Sequence, residues 1–240
     1  MSKPTTPWWR PTEVCGWENY YEHCFIGYFD KEFPFLALTN RDVTWMSITP
    51  NEINTMAPAI KEVKGNVLVM GLGLGYFPFM ISNKDDVKSV VIIEEDQTII
   101  DLFTNHLLPQ FPHQEKITIV KENALKTKTD FINSFDYCFV DLWHDPVDGL
   151  PFYQYFKKME SNLKTKMLYW LEDSFYAYMR RIAINVLYDQ LNTPHNWYEN
   201  KAENKMLIEF NKKIDLSKLE SPKQIYKLIT NENLLKLLIS

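Results

Sequence analysis

Residues 66 to 79 read Asn-Val-Leu-Val-Met-Gly-Leu-Gly-Leu-Gly-Tyr-Phe-Pro-Phe, an apolar run that enters a G-x-G-x-G turn at Gly71, Gly73 and Gly75. Three of the chain's seven glycines stand in this turn, and that concentration limits the fold more than any other feature. Glycine admits positive φ and lets a ligand approach the main chain, while a helix starting beyond the turn presents amide donors. The turn is therefore predicted to floor a nucleotide or nucleoside site. It suits a nicotinamide dinucleotide poorly, because the G-x-G-x-x-G fingerprint wants its third glycine or alanine where this chain has Tyr76.

Around that turn the chain alternates strand and helix. Apolar runs without clean alternation, as expected of strands buried on both faces, are predicted at Val67 to Met70, Ser89 to Glu94, Ile117 to Val120, Tyr137 to Asp141 and Met167 to Leu171. Helices fit between and after them at Tyr76 to Ser82, Asp96 to Leu107, Leu125 to Phe131, Gly149 to Lys158 and Ser174 to Leu191. This is the rhythm of a parallel sheet with helical crossovers. Before it, Thr49-Pro50-Asn51-Glu52 carries a capping-box signature for a helix from Pro50 to Val63. The first fifty residues are crowded with aromatics, among them Tyr20, Tyr21 and Trp45, and predict an antiparallel meander of strands at His23 to Tyr28, Phe33 to Leu38 and Val43 to Ile48. The Lys, Asn and Leu-rich tail from Trp197 is predicted helical. The expected organisation is an N-terminal β-rich unit over 1–49, an α/β Rossmann-like domain over 50–195 and a helical extension over 196–240.

Composition narrows the partners. With 45% hydrophobic and 24% charged residues over 240 positions, the chain has enough apolar material for one substantial core. Its formal net charge of −5 provides no bulk attraction for nucleic acid or an anionic membrane, so a small molecule or peptide is the expected partner. Cys15, Cys24 and Cys138 are odd in number and lack C-x-x-C spacing. Neither a disulfide framework nor a metal site is expected, and a cytoplasmic setting follows. No apolar stretch approaches the ~18 residues of a membrane span.

In an open parallel sheet the ligand lies across the carboxyl ends of the strands. The second predicted strand ends in Glu94-Glu95-Asp96, where Glu94 can accept hydrogen bonds from two ribose hydroxyls; Glu95 and Asp96 alternatively complement a helix dipole. After the third come Asn123 and Ala124, beside the expected position of a base. The Asn123 amide offers one donor and one acceptor edge, or else caps a turn. The fourth strand closes on Asp141 and continues Leu-Trp-His-Asp-Pro, placing Asp141, His144 and Asp145 as candidate acid–base groups. Trp143 either walls the pocket or belongs to the core.

This succession of glycine turn, acid, polar pair and aspartate resembles the class I S-adenosylmethionine-dependent methyltransferase fold. Within it the chain is similar to the spermidine synthase branch. The matching stretches are the aromatic N-terminal unit, Asn51-Glu52-Ile53, Val67 to Gly75, Ile93-Glu94-Glu95-Asp96 and Asp141-Leu-Trp-His-Asp145-Pro146, together spanning about residues 20 to 175. The resemblance implies a Rossmann-like sheet, S-adenosylmethionine or its decarboxylated form as cofactor, and alkyl transfer from sulfur to a small-molecule or peptide nucleophile. It places Gly71, Gly73 and Gly75 under the methionine or sulfonium end, Glu94 at the ribose, Asn123 at the adenine and Asp141 facing the acceptor, with Glu95 and Ala124 also among the cofactor-binding residues.

The departures bear on which group moves. Leu74 stands where aminopropyltransferases have an aspartate for the donor's amino group, and Val69 where many methyltransferases have an acid. Methyl transfer is slightly favoured, with an aminopropyl or 3-amino-3-carboxypropyl transferase as the alternative. A non-catalytic nucleoside-binding partner protein, docking through its C-terminal helices, is a further reading. A homodimer is left open.

Overall fold

The computed structural model describes residues 8–11, 24–27, 36–40, 43–48, 50–180, 221, 223–224 and 227. Tyr20, Tyr21, Thr49, the predicted helix beyond Arg180 and nearly all of the tail lie outside them, as does the side chain of Trp45.

Among the described residues four strands precede the first helix: β1 Trp8–Pro11, β2 Cys24–Gly27, β3 Ala37–Asn40 and β4 Val43–Ser47. β3 and β4 form the predicted antiparallel pair, with Leu38 opposite Met46 and Thr39 opposite Thr44, so that a bulge falls at Trp45. β2 joins β1 in a separate two-stranded sheet rather than extending the meander toward β3. A sequence pattern locates strands, but which edges meet depends on partners distant along the chain.

Helix α1, Pro50–Glu62, leads to β5, Gly65–Met70. Its last carbonyls are gathered by the Lys84 ammonium, which donates to Ile60 at 3.0 Å, to Lys61 at 3.3 Å and to Val63. There follow α2 Tyr76–Ser82, β6 Val87–Glu94, α3 Gln97–Leu102, β7 Ile117–Lys121, α4 Thr129–Ile132, β8 Tyr137–Val140, α5 Pro146–Glu160 and β9 Lys166–Tyr169. Residues 172–180 are helical.

β5 to β9 form one parallel sheet in the order β7-β6-β5-β8-β9, the Rossmann and methyltransferase-like α/β arrangement. From β5 the chain moves outward through β6 and β7, then returns to place β8 and β9 on the other side. The order therefore reverses between β5 and β8, and their carboxyl ends flank the crevice where such sheets bind ligands. Val67, Leu68, Val69 and Met70 are all buried, which accounts for the unbroken apolar run of β5. The pairing continues one step past the strands: Gly71 donates its amide to Ile93, Asp141 to Met70, Glu122 to Glu94 and Trp170 to Val140. Each candidate loop thus leaves the sheet at a fixed height.

Three helices differ from the expected bounds. α3 passes into one π-helical turn, Phe103–Leu107, and a 3-10 turn, Leu108–Gln110. Leu125 to Phe131 is not one helix: a 3-10 turn over Ala124–Lys126 and extended Thr127 and Lys128 precede α4. α5 begins three residues before Gly149, because Asp145 and Asp148 cap it reciprocally and Pro146 suits the first helical position.

The chain partitions into two compact units, one of residues 1–10, 26–144 and 159–170, the other of 11–25, 145–158 and 171–240. The β3–β4 hairpin and the whole parallel sheet belong to the first. In the second, Tyr153 stacks on Phe175 with ring centres 4.5 Å apart and donates to Glu172 at 2.8 Å, which also pairs with Lys157 at 3.1 Å. Among the described residues no helix is long and apolar enough to cross a membrane.

Candidate functional site

All three turn glycines have positive φ: +98° at Gly71, +51° at Gly73 and +74° at Gly75. Their bare faces are taken up by the protein itself. A Cβ on Gly71 would lie 1.9 Å from the carbonyl oxygen of Asp141, one on Gly73 2.4 Å from the sulfur of Met46, and one on Gly75 2.2 Å from the ring of Phe103. Glycine is thus demanded by close packing as well as by backbone conformation. The Leu74 amide lies 3.1 Å from Met46 Sδ, and Gly75 donates to the Leu72 carbonyl at 2.9 Å. Met46, reached from β4 just past its bulge, is a member of the site that the sequence alone did not single out.

Glu94 closes β6 beside this turn. Its Oε2 accepts the Leu72 amide at 3.1 Å, and its Oε1 accepts those of Glu95 and Asp96 at 2.9 Å. A carboxylate offers about four acceptor positions, so one remains for a hydroxyl; a second hydroxyl must replace an amide. The neighbouring candidates are engaged with one another. Asn123 donates to Glu95 at 2.6 Å and accepts the Leu125 amide at 2.9 Å as cap of the 3-10 turn, in which Ala124 is buried. Asp96 caps α3 through the Thr98 amide at 2.7 Å. These bonds use one of the two amide hydrogens and one of the two acceptor positions of Asn123, so capping and ligand contact are compatible.

Asp141 stands at the switch point. Part of its surface is open, but dense surroundings push its carboxyl up to about 8, with the charge of Glu52 acting in the same direction. Glu52 comes from the first turn of α1. Its carboxylate accepts the Ser47 amide at 2.8 Å and the Ser47 hydroxyl at 3.2 Å; the predicted capping partner, Thr49, lies outside the described residues. Burial raises the Glu52 carboxyl, while these bonds and the nearby His144 imidazole oppose the rise. Two acids and a histidine therefore share one field at the ends of β5 and β8. The Asn51-Glu52-Ile53 likeness pointed to this glutamate, but nothing in the sequence showed which carboxylate it would meet.

Trp170, immediately after β9, completes this end. It is 7% exposed and its indole donates to the Thr55 hydroxyl at 2.8 Å, which donates to the Glu52 carbonyl at 2.6 Å. Trp143 is buried, as a core residue is. Asp145 belongs to the second unit, where its carboxylate accepts the Val147 amide at 2.6 Å and the Asp148 amide at 3.2 Å. The described residues contain no group of three His, Cys, Asp or Glu side chains able to hold a metal ion.

No protein-family model matches the chain, and no curated protein does. Solved structures do resemble it. The methyltransferase domain of bacterial CtHen1-CN matches with a TM-score of 0.31 and 13% identity over 37% of this chain and 47% of that one. A spermidine synthase in complex with the transition-state analogue AdoDATO matches with a TM-score of 0.40 and 18% identity over 59% and 54%. The spermidine synthase of Thermotoga maritima matches with a TM-score of 0.38 and 14% identity over 76% and 72%. This chain spans about half the length of the first two. What those proteins act on belongs to them, and the functional reading below rests on this chain's own residues.

Proposed function

We propose that the chain is an S-adenosylmethionine-dependent transferase that alkylates an amine on a small molecule or peptide. The observation that carries this reading is the pairing, across one switch point, of a main-chain-anchored carboxylate beside the glycine turn, Glu94, with two acids that share one field, Asp141 after β8 and Glu52 in the first turn of α1. Glu94 would hold the ribose, Asn123 and Ala124 the base, and the turn from Gly71 to Gly75 the sulfonium arm. Bound there, the sulfonium supplies a carbon already activated toward displacement by the acceptor's lone pair.

The protein's tasks are then alignment, exclusion of water and removal of one proton. Asp141 receives the proton lost from the attacking nitrogen. A carboxyl pushed up to about 8 is a stronger base once ionised than an ordinary aspartate, and a cationic amine beside it favours the ionised form. Glu52 adds the second negative charge that draws an ammonium into this corner, and His144 sits in reach of that field. Leu74 provides no acid for the amino group of an aminopropyl arm and Val69 none for the methionine end of intact S-adenosylmethionine, so the turn itself does not select between the two donors. The acid pair would equally receive a diamine, so aminopropyl transfer is the rival.

The by-product separates the two. Incubation with S-adenosylmethionine, or its decarboxylated form, and a panel of amines should release S-adenosylhomocysteine for methyl transfer and methylthioadenosine for aminopropyl transfer. Asp141→Ala should keep cofactor binding and lose turnover. Full turnover in that variant would remove Asp141 from the reaction, and absence of any cofactor binding by the wild-type chain would end the reading.

A further inference from the structure

Glu52 is held from two directions. Its carboxylate is bound by Ser47 at the end of β4, while its backbone carbonyl is bound by Thr55 one helical turn later. Thr55 is itself fixed by the indole of Trp170, and the Trp170 amide donates to Val140, the residue before Asp141, at 3.0 Å. A continuous path thus runs from the end of β8, which Asp141 follows, through Trp170 and Thr55 to the helical turn that bears Glu52. A hydroxyl has one proton and two acceptor positions, and Thr55 uses the proton toward Glu52 and an acceptor position toward Trp170. The geometry admits no donor-only or acceptor-only replacement.

We propose that Thr55 and Trp170 are positioning residues, which hold the first turn of α1 so that Glu52 faces Asp141. The consequence for catalysis rests on the transferase reading above; the clamp itself does not. Neither residue touches the acceptor in this scheme. Each acts through Glu52, and the ionisable groups whose fields meet here are Asp141, Glu52 and His144.

The test follows the Asp141 carboxyl by carbon-detected NMR titration in the full chain, assigned by its loss in Asp141→Asn. In the wild type it should titrate well above ordinary aspartates, and Glu52→Gln sets how far it falls when the neighbouring charge is removed. Thr55→Val and Trp170→Phe should shift the midpoint down toward the Glu52→Gln value, whereas Thr55→Ser, which keeps the hydroxyl, should hold it at the wild-type position. Circular dichroism and melting establish that each variant is folded; should Trp170→Phe not fold, the nearly isosteric Thr55→Val decides. An unchanged midpoint in Thr55→Val overturns the proposal, and so does an ordinary midpoint in the wild type. Calorimetry with S-adenosylhomocysteine on the same samples separates the two ideas, because absent binding by the wild type removes the transferase reading while leaving the titration of the clamp legible.

Discussion

Glu94 binds the Leu72 amide at 3.1 Å, and so the acid that closes the second strand of the sheet is tied directly to the glycine turn that follows the first. The carboxylate is thereby aimed and partly neutralised by main-chain dipoles, which also fix the turn. Glu94→Ala should therefore do two things. Leaving the buried Leu72 amide without its acceptor should cost about 1–3 kcal/mol of stability, and the thermal stabilisation by S-adenosylmethionine should vanish. A ligand at a hundred times its dissociation constant adds ~2.7 kcal/mol, well within the range of a melting experiment. A ligand-induced shift that survives in Glu94→Ala would place the ribose elsewhere.

The glycines should not be equivalent. At Gly71 an added methyl meets the backbone carbonyl of Asp141, which cannot move without disturbing β8, whereas at Gly73 it meets the end of the flexible Met46 side chain. Positive φ burdens both with about 1–3 kcal/mol. Gly71→Ala should be the more destabilising in chemical denaturation, and Met46→Ala should relieve part of the loss in Gly73→Ala, a coupling that a double-mutant cycle reads directly. Equal losses at the two glycines, with additive behaviour of Met46, would contradict the packing described.

Asp141 should also leave a mark on the pH dependence of stability. Its carboxyl is raised from 3.8 to about 8 in the folded protein, so between those values the folded state holds a proton that the unfolded chain has lost. Stability from this group is full below the unfolded value and is lost as pH rises toward 8, with a slope of at most ~1.4 kcal/mol per pH unit. Glu52, also raised, acts in the same sense. Asp141→Asn should thus gain on the wild type as denaturation is repeated from pH 5 to pH 8. A constant difference across that range would mean that the carboxyl titrates normally.

What the sequence disclosed follows from where the information lies. β5 and β8, at the centre of the sheet, were legible because strands packed on both faces are apolar throughout, while the edge strands β7 and β9 are only partly buried and showed through their apolar residues; α2 was legible because it follows the glycine turn. The loop acids were legible as candidates because a strand end in such a sheet is a special place. Their partners were not. Asn123 and Glu95, Met46 and Gly73, and Glu52 and Asp141 are 28, 27 and 89 positions apart in the chain, and no local pattern encodes which of them meet. The same limit explains β2, whose strand character is local while its pairing with β1 is not.

Asp145 shows how two roles for one residue can be separated. Its carboxylate caps α5 by accepting the Val147 amide, while its own amide is taken by Asp148 at 2.9 Å. Asp145→Ala should cost ~0.5–2 kcal/mol of stability through the lost cap, and a fall in activity in that variant would not distinguish a loosened loop from a missing acid. Asparagine caps about as well as aspartate but cannot accept a proton. Asp145→Asn should therefore retain both stability and turnover if the residue's work is capping. Wild-type stability combined with lost turnover in Asp145→Asn would assign the Asp145 carboxylate a part in proton transfer, beside or in place of Asp141.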